Sequence, residues 1–156
     1  MRVAVIDEAL SRDLRRAVLR PELEPGDPLP GDDLVGAVHF GVLTDDGTVL
    51  STCFVYVDPC PWRDGDQPAW HLRQMATTAA YRGQGLGAAV LGAALEHVAA
   101  EQGVLVWCNA RERAVAFYAR YGFRPYGDVF TDERHPIPHQ RMSLPIPNRQ
   151  AWRQQP

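Results

Sequence analysis

The chain has 156 residues, 46% apolar and 22% charged, with a formal net charge of −3 and a pI of about 5.9. That is one domain's worth at roughly 100–200 residues per domain. The composition excludes a disordered chain, and the slight acidity excludes a global basic field for nucleic acid. No apolar run approaches the ~18 residues of a membrane span, and Val3–Ile6 is too short an apolar stretch for a signal peptide. Cys53, Cys60 and Cys108 form no CxxC pair, which points to a reduced, cytoplasmic protein.

In chain order, Val3–Ile6 reads as a strand and Glu8–Leu19 as a helix, with Leu10, Leu14 and Val18 at helical spacing. Pro21 stops the helix, and Pro21–Asp33, with four prolines and five acids, is a loop. Val35–Thr44 and Thr48–Val57 read as a hairpin about Asp45-Asp46-Gly47. A second loop, Asp58–Pro68, leads to a strand over Trp70–Thr78. Leu86, Val90, Ala94 and Val98 repeat every fourth residue and predict a helix over Leu86–Ala100, closed by Gly103. Val104–Cys108 is a short apolar run suited to a buried strand. Glu112–Tyr121 reads as a helix ended by Gly122, and Pro125–Ile146 as two strands about the turn Glu133–Pro138. A polar tail over 148–156 closes a single domain over 1–147. The order β-α-β-β-β-α-β-α-β-β is mixed α/β with a central three-stranded meander.

Arg82-Gly83-Gln84-Gly85-Leu86-Gly87 lies between a strand and the most periodic helix. The first amides of a helix have no internal partners, and they share their position with the positive end of the helix dipole. Bare backbone there makes a seat for a phosphate or diphosphate, and Arg82 adds a chelating cation. The P-loop pattern GxxxxGK[ST] is absent, and the chain has no lysine to supply its cation. Gly83-x-Gly85-x-x-Ala88 is a tolerated form of the dinucleotide pattern, but it follows the fourth strand rather than the first.

The stretch Leu72-Arg-Gln-Met-Ala-Thr-Thr-Ala-Ala-Tyr-Arg-Gly-Gln-Gly-Leu-Gly resembles the acyl-coenzyme-A binding motif of the GNAT N-acetyltransferase superfamily, with Arg82, Gly85 and Gly87 at the matching positions. Asn109-Ala-Arg-Glu-Arg-Ala-Val-Ala-Phe117-Tyr118-Ala-Arg-Tyr-Gly122-Phe123 resembles that family's second motif. Ile137-Pro138-His139-x-x-Met142 and Leu14-Arg-Arg-x-Val18-Leu19-Arg20-Pro21 look like a branch of small bacterial members of uncertain substrate.

The resemblance implies a mixed, mostly antiparallel central sheet flanked by helices. It implies an enzyme moving an acetyl group from acetyl-CoA to a primary amine by direct attack, with no metal. The main chain of Met75, Ala76 and Thr77 would bind the pantetheine arm and the thioester carbonyl. Arg82, Gly83, Gln84, Gly85, Leu86, Gly87 and Ala88 would hold the diphosphate, and Asn109 would bond to the pantetheine. Phe117 and Tyr118, adjacent on the helix, would border the cofactor, and Tyr118 would be the general acid to the departing thiolate, its phenol having an ordinary pKa near ~10. For the base, His139, His71 and His39 are candidates, or a water chain takes the proton. His139 ranks first because a Pro-Ile-Pro run fixes its backbone; a period-two count puts His71 on one face with Arg73 and Met75.

Eight acids and no arginine fall between Pro21 and Trp62, while eight arginines and four acids follow from Arg111 on. An acidic lip with Glu22, Glu24, Asp32 and Asp33 would attract a cationic amine, and the basic part would suit an anionic carrier. The acceptor is a small-molecule amine or a protein N-terminus, with no nucleic acid or membrane as partner, and the resemblance admits a homodimer. With no lysine, the protein should self-acetylate only at its N-terminal amine or a cysteine. Three other readings stand beside this one. The chain could be a non-catalytic acyl-CoA sensor of the same fold, or a nucleotide-dependent oxidoreductase. It could also use Cys108 as an acyl-accepting nucleophile. His135-x-x-x-His139 has metal-like spacing, but its prolines preclude a helix.

Overall fold

The computed structural model describes residues 1–132 and 135–146. The elements are β1 (Arg2–Ile6), α1 (Glu8–Leu19), β2 (Val38–Leu43), β3 (Val49–Val57), β4 (Ala69–Thr77), α2 (Leu86–Ala100), β5 (Leu105–Arg111), α3 (Val115–Arg120), β6 (Arg124–Asp132) and β7 (His135–Pro145). This is the order expected from sequence. The strands form one seven-stranded sheet, β1-β2-β3-β4-β5-β7-β6, with β4–β5 parallel and β1–β2, β2–β3, β5–β7 and β6–β7 antiparallel. Among the described residues no helix is long and apolar enough to cross a membrane. The expected tail, 148–156, and the first two residues of the expected turn at 133–138 lie outside the described residues.

The chain divides into two compact units, Met1–Val57 with Leu72–His97, and Asp58–His71 with the chain from Val98 on. In the first, β2 begins at Val38 rather than Val35 because Gly36 takes φ +83°, which no strand allows. Asp7 caps α1 by accepting the amide of Ala9 at 3.1 Å. The helix is where the sequence put it, but its inward line differs. Ser11 and Arg15, four residues apart, are fully buried, whereas Leu10 is exposed. In α2 the predicted apolar stripe turns inward, with Val90, Ala94 and Val98 buried and Leu86 half-buried, and Leu91 and Leu95 are buried beside it.

In the second unit, Ala69, Trp70 and His71 pair in parallel with Leu105, Val106 and Trp107. β5 then pairs with β7 from Leu105↔Pro145 to Arg111↔His139. Cys60, Ala69, Leu105 and Trp107 form a buried cluster with Trp62 packed against it. The end of α2 differs from expectation in its reason. The left-handed residue is Gln102, φ +63°, not the glycine. Gly103 is needed for space, since a Cβ there would collide with Val98 Cγ1 and lie 2.7 Å from Trp70 Cδ1. The expected helix over Glu112–Tyr121 is a single 3₁₀ turn, Glu112–Ala114, followed by α3. Gly122, φ +94°, ends it as predicted.

Candidate active site

The glycine turn lies in the first unit. Gly83 and Gly85 adopt φ +79° and +83°, and an added Cβ at either would meet nothing within 4 Å. Glycine is therefore required here by backbone conformation rather than crowding. Arg82 to Gly85 are exposed. The amide of Ala89 enters α2 by donating to the Gly85 carbonyl at 3.0 Å. Among the described residues, the amides of Gly83 to Ala88 make no backbone hydrogen bond to the protein, as the first turn of a helix requires. A seat of bare N–H groups at a helix start suits a diphosphate.

Upstream on β4, Gln74 takes φ +55°, uncommon for any residue with a Cβ. A left-handed residue interrupts side-chain alternation. The period-two count that joined His71, Arg73 and Met75 on one face therefore does not carry across it. Beyond the kink Met75 is half-buried and Ala76 buried. Thr77 Oγ1 lies 2.8 Å from Ser51 Oγ, and the amide of Thr78 donates to the Leu50 carbonyl at 2.8 Å. These contacts fix the strand's exit toward the turn.

The acids of the Pro-rich loop divide into paired and exposed groups. Asp32 Oδ1 lies 3.1 Å from Arg15 Nη1, and its Oδ2 accepts the Leu29 amide at 3.0 Å. Asp32 is thus a structural carboxylate rather than part of an open acidic lip. Glu22 pairs with Arg20. Glu24 and Asp33 are exposed.

His39, on β2 opposite Ile6 and Phe54, is 7% exposed, and its ring lies 4.7 Å from that of Phe54. Its Nδ1 is buried with no hydrogen-bond partner. Burial, then the nearby Arg15 cation, push its pKa down, against the opposing pull of Glu8, Asp32 and Asp7.

The second unit holds the other candidates. His71, also 7% exposed, stacks on Trp107 with ring centroids 3.6 Å apart, and its Nδ1 lies 3.2 Å from Asp58 Oδ2. A carboxylate on Nδ1 calls for Nδ1–H, which leaves the lone pair of a neutral ring on Nε2. Trp107 Nε1 donates to the Asp58 carbonyl at 2.8 Å, so one residue orients both rings.

Asn109 is exposed on β5 opposite Arg141. Tyr118 is buried, its ring 5.2 Å from that of Phe117 and 5.3 Å from that of Phe123, both edge-on. Phe117 is the less buried of the pair. His139 is half-buried on β7, opposite Arg111 and Phe130, with Nδ1 at 2.6 Å from the Ile137 carbonyl. That carbonyl can only accept, so Nδ1 carries the proton here too.

All three cysteines are buried free thiols. Burial pushes Cys53, Cys60 and Cys108 up, which keeps each as an un-nucleophilic thiol and argues against acyl transfer through Cys108. Among the described residues no cluster of His, Cys, Asp or Glu is arranged to hold a metal.

Three residues of weight were missed from sequence. Gln74's kink has no local signature. Arg15 sits beside Arg16, and helical spacing ranked apolar side chains as the inward face. Asp58 looked like one more acid in a turn-rich loop.

A mixed sheet with a glycine turn into a helix after its fourth strand is an architecture of acyl-CoA-dependent transferases. The model of the GNAT acetyltransferase domain matches residues 31–125, and the chain belongs to that family. A curated relative, the uncharacterized N-acetyltransferase YitI of Bacillus subtilis strain 168, is 35% identical over 120 residues, covering 76% of this chain and 78% of the relative. A solved acyl-CoA N-acyltransferase from Pseudomonas aeruginosa is 26% identical, with a TM-score of 0.69, covering 91% of this chain and 97% of that one. The fold is shared with an aminoglycoside 6′-N-acetyltransferase complexed with coenzyme A, with a TM-score of 0.74 at 14% identity and coverage of 94% and 97%. The chain is an acetyl-CoA-dependent N-acetyltransferase, with coenzyme A as the carrier of the acyl group.

Proposed function

We propose that the enzyme acetylates a primary amine by direct attack, with Tyr118 as general acid. The neutral amine nitrogen attacks the thioester carbonyl, and His139 Nε2 takes the proton it sheds. The carbonyl oxygen, as it gains charge, accepts from the main chain of Met75–Thr77. The C–S bond breaks, and the Tyr118 hydroxyl gives its proton to the sulfur and regains one from solvent. The amides of Gly83 to Ala88, with Arg82, hold the diphosphate, and the side-chain amide of Asn109 bonds to the pantetheine. The observation that carries this reading is the exposed turn, whose amides meet no backbone acceptor among the described residues, within the matched family domain.

The exposed acids Glu24 and Asp33 favour a cationic acceptor, either a small-molecule amine or a protein N-terminus. Three free thiols suit a reducing compartment such as the cytoplasm. For the base, the Asp58–His71 pair supports a second reading, because a carboxylate holds that ring in one tautomer. Loss of the low-pH limb of the rate profile in His139→Ala, but not in Asp58→Asn, supports His139; the reverse supports His71.

The test of the acid is Tyr118→Phe in a screen of primary amines for CoA release. We expect kcat to fall about 10²-fold or more, with the KM for acetyl-CoA within twofold. An unchanged kcat removes Tyr118 from the chemistry. CoA binding without turnover on any amine supports the sensor.

A further inference from the structure

Among the described residues the largest fully buried side chain is an arginine. Arg15 is 1% exposed, yet each of its five N–H groups has an acceptor. Nε donates to Ser11 Oγ at 3.0 Å, and Nη1 to Asp32 Oδ1 at 3.1 Å and Gln74 Oε1 at 2.8 Å. Nη2 donates to the carbonyl of Glu8 at 3.3 Å and to its Oε2 at 3.0 Å. Glu8 and Asp32 supply the opposite charge a buried cation needs. Gln74 is neutral, so its place in the knot is geometric.

Gln74 is held at both ends. Its Oε1 accepts from Arg15 and its Nε2 donates to the carbonyl of Pro30 in the Pro-rich loop. It is also the residue of β4 at φ +55°. A strained backbone angle persists only where its surroundings over-determine it, and here the surroundings are Arg15 and that loop. The loop is fastened independently. Gly31 takes φ +92°, and a Cβ there would lie 2.9 Å from the Phe54 ring.

We infer that Arg15 is a positioning residue for acyl transfer. By holding the Gln74 amide it fixes the kink of β4 and so aims the main chain of Met75–Thr77, and through Asp32 it locks the Pro-rich loop to the same point. This rests on the proposed role of Met75–Thr77 at the thioester.

The test is amide hydrogen exchange at Met75–Thr77, with and without saturating acetyl-CoA, beside the Kd for CoA. Gln74→Ala keeps a Cβ at the strained angle but loses both tethers. We expect exchange there to rise at least tenfold, and the protection given by acetyl-CoA to fall below threefold. The Kd for CoA should rise by no more than about fivefold, since the diphosphate seat is elsewhere and only the pantetheine contact to β4 is loosened. Gln74→Gly, which adopts positive φ without strain, should recover most of that protection. Arg15→Lys keeps the charge but cannot serve five acceptors; it should reproduce the loss, and the double variant Arg15→Lys/Gln74→Ala should be no worse than Gln74→Ala.

Wild-type exchange in Gln74→Ala overturns the positioning role. So do equal losses in the Ala and Gly variants, or additive losses in the double variant. If acetyl-CoA protects none of Met75–Thr77 in the wild-type protein, the reading of the thioester site fails instead, and the inference with it.

Discussion

Each unit of the molecule buries a polar knot, and the two are built differently. In the first, Arg15 gathers Ser11 and Glu8 from its own helix, Asp32 from the loop and Gln74 from β4. In the second, His71 lies flat on Trp107 and meets one carboxylate, Asp58, whose carbonyl also takes the indole N–H. The first knot is ionic and spread over several elements. The second is aromatic, with a carboxylate steering a stack that packing already favours. Ionic knots define geometry at a high desolvation cost, so removing the central ion should hurt far more than removing one partner from the aromatic stack.

The largest effect tests that directly. Arg15→Met takes the buried cation from two carboxylates and leaves them only the more exposed Arg12. Breaking a buried ion pair costs about 3–5 kcal/mol. Glu8 and Asp32 side chains retain 30% and 19% exposure and keep Arg12 as a partner, so about 2–4 kcal/mol is expected in a urea titration. A loss below 1 kcal/mol would erase the distinction between the knots.

Asp58→Ala sharpens it from the other side. His71 loses an acceptor while its stack on Trp107 remains. An unsatisfied buried donor costs about 1–3 kcal/mol, and the 36% exposure of the Asp58 side chain lets water replace it in part. A loss of about 1 kcal/mol is expected. A cost equal to that of Arg15→Met would show that Asp58 is as central to its unit as Arg15 is.

The contrast also explains what could be read from sequence. The element order, the bounds of α1 and α2, and the glycine turn rest on local signals such as periodicity, caps and breakers, and the structure carries all of them. Arg15 and Gln74 rest on long-range partners, 17 and 59 residues apart along the chain. An arginine at helical spacing looks like a solvated one until the loop and strand that bury it are in place. Gly103 illustrates the same limit. Its position after a helix suggested a left-handed cap, but Gln102 takes that conformation, and glycine is needed because Trp70 fills the space a Cβ would occupy.

The smallest effect concerns a third buried polar group, His39, which is as buried as His71 but has no partner on Nδ1. Burial and the Arg15 cation lower its folded-state pKa below the ordinary 6.5. The folded protein therefore binds fewer protons than the unfolded chain as pH falls below 6.5. Stability is full above that pH and is lost on acidification toward the depressed folded-state value. His39→Leu removes both the orphaned nitrogen and this linkage. At pH 8 its stability should lie within about 1 kcal/mol of the parent. As the pH falls below 6.5 the parent should lose ground to the variant, the gap levelling once the folded-state pKa is passed. Parallel stability curves from pH 8 to 5 would mean that His39 keeps an ordinary pKa in the fold. Arg15 would then be balanced by Glu8 and Asp32 so fully that its charge does not reach a neighbouring ring.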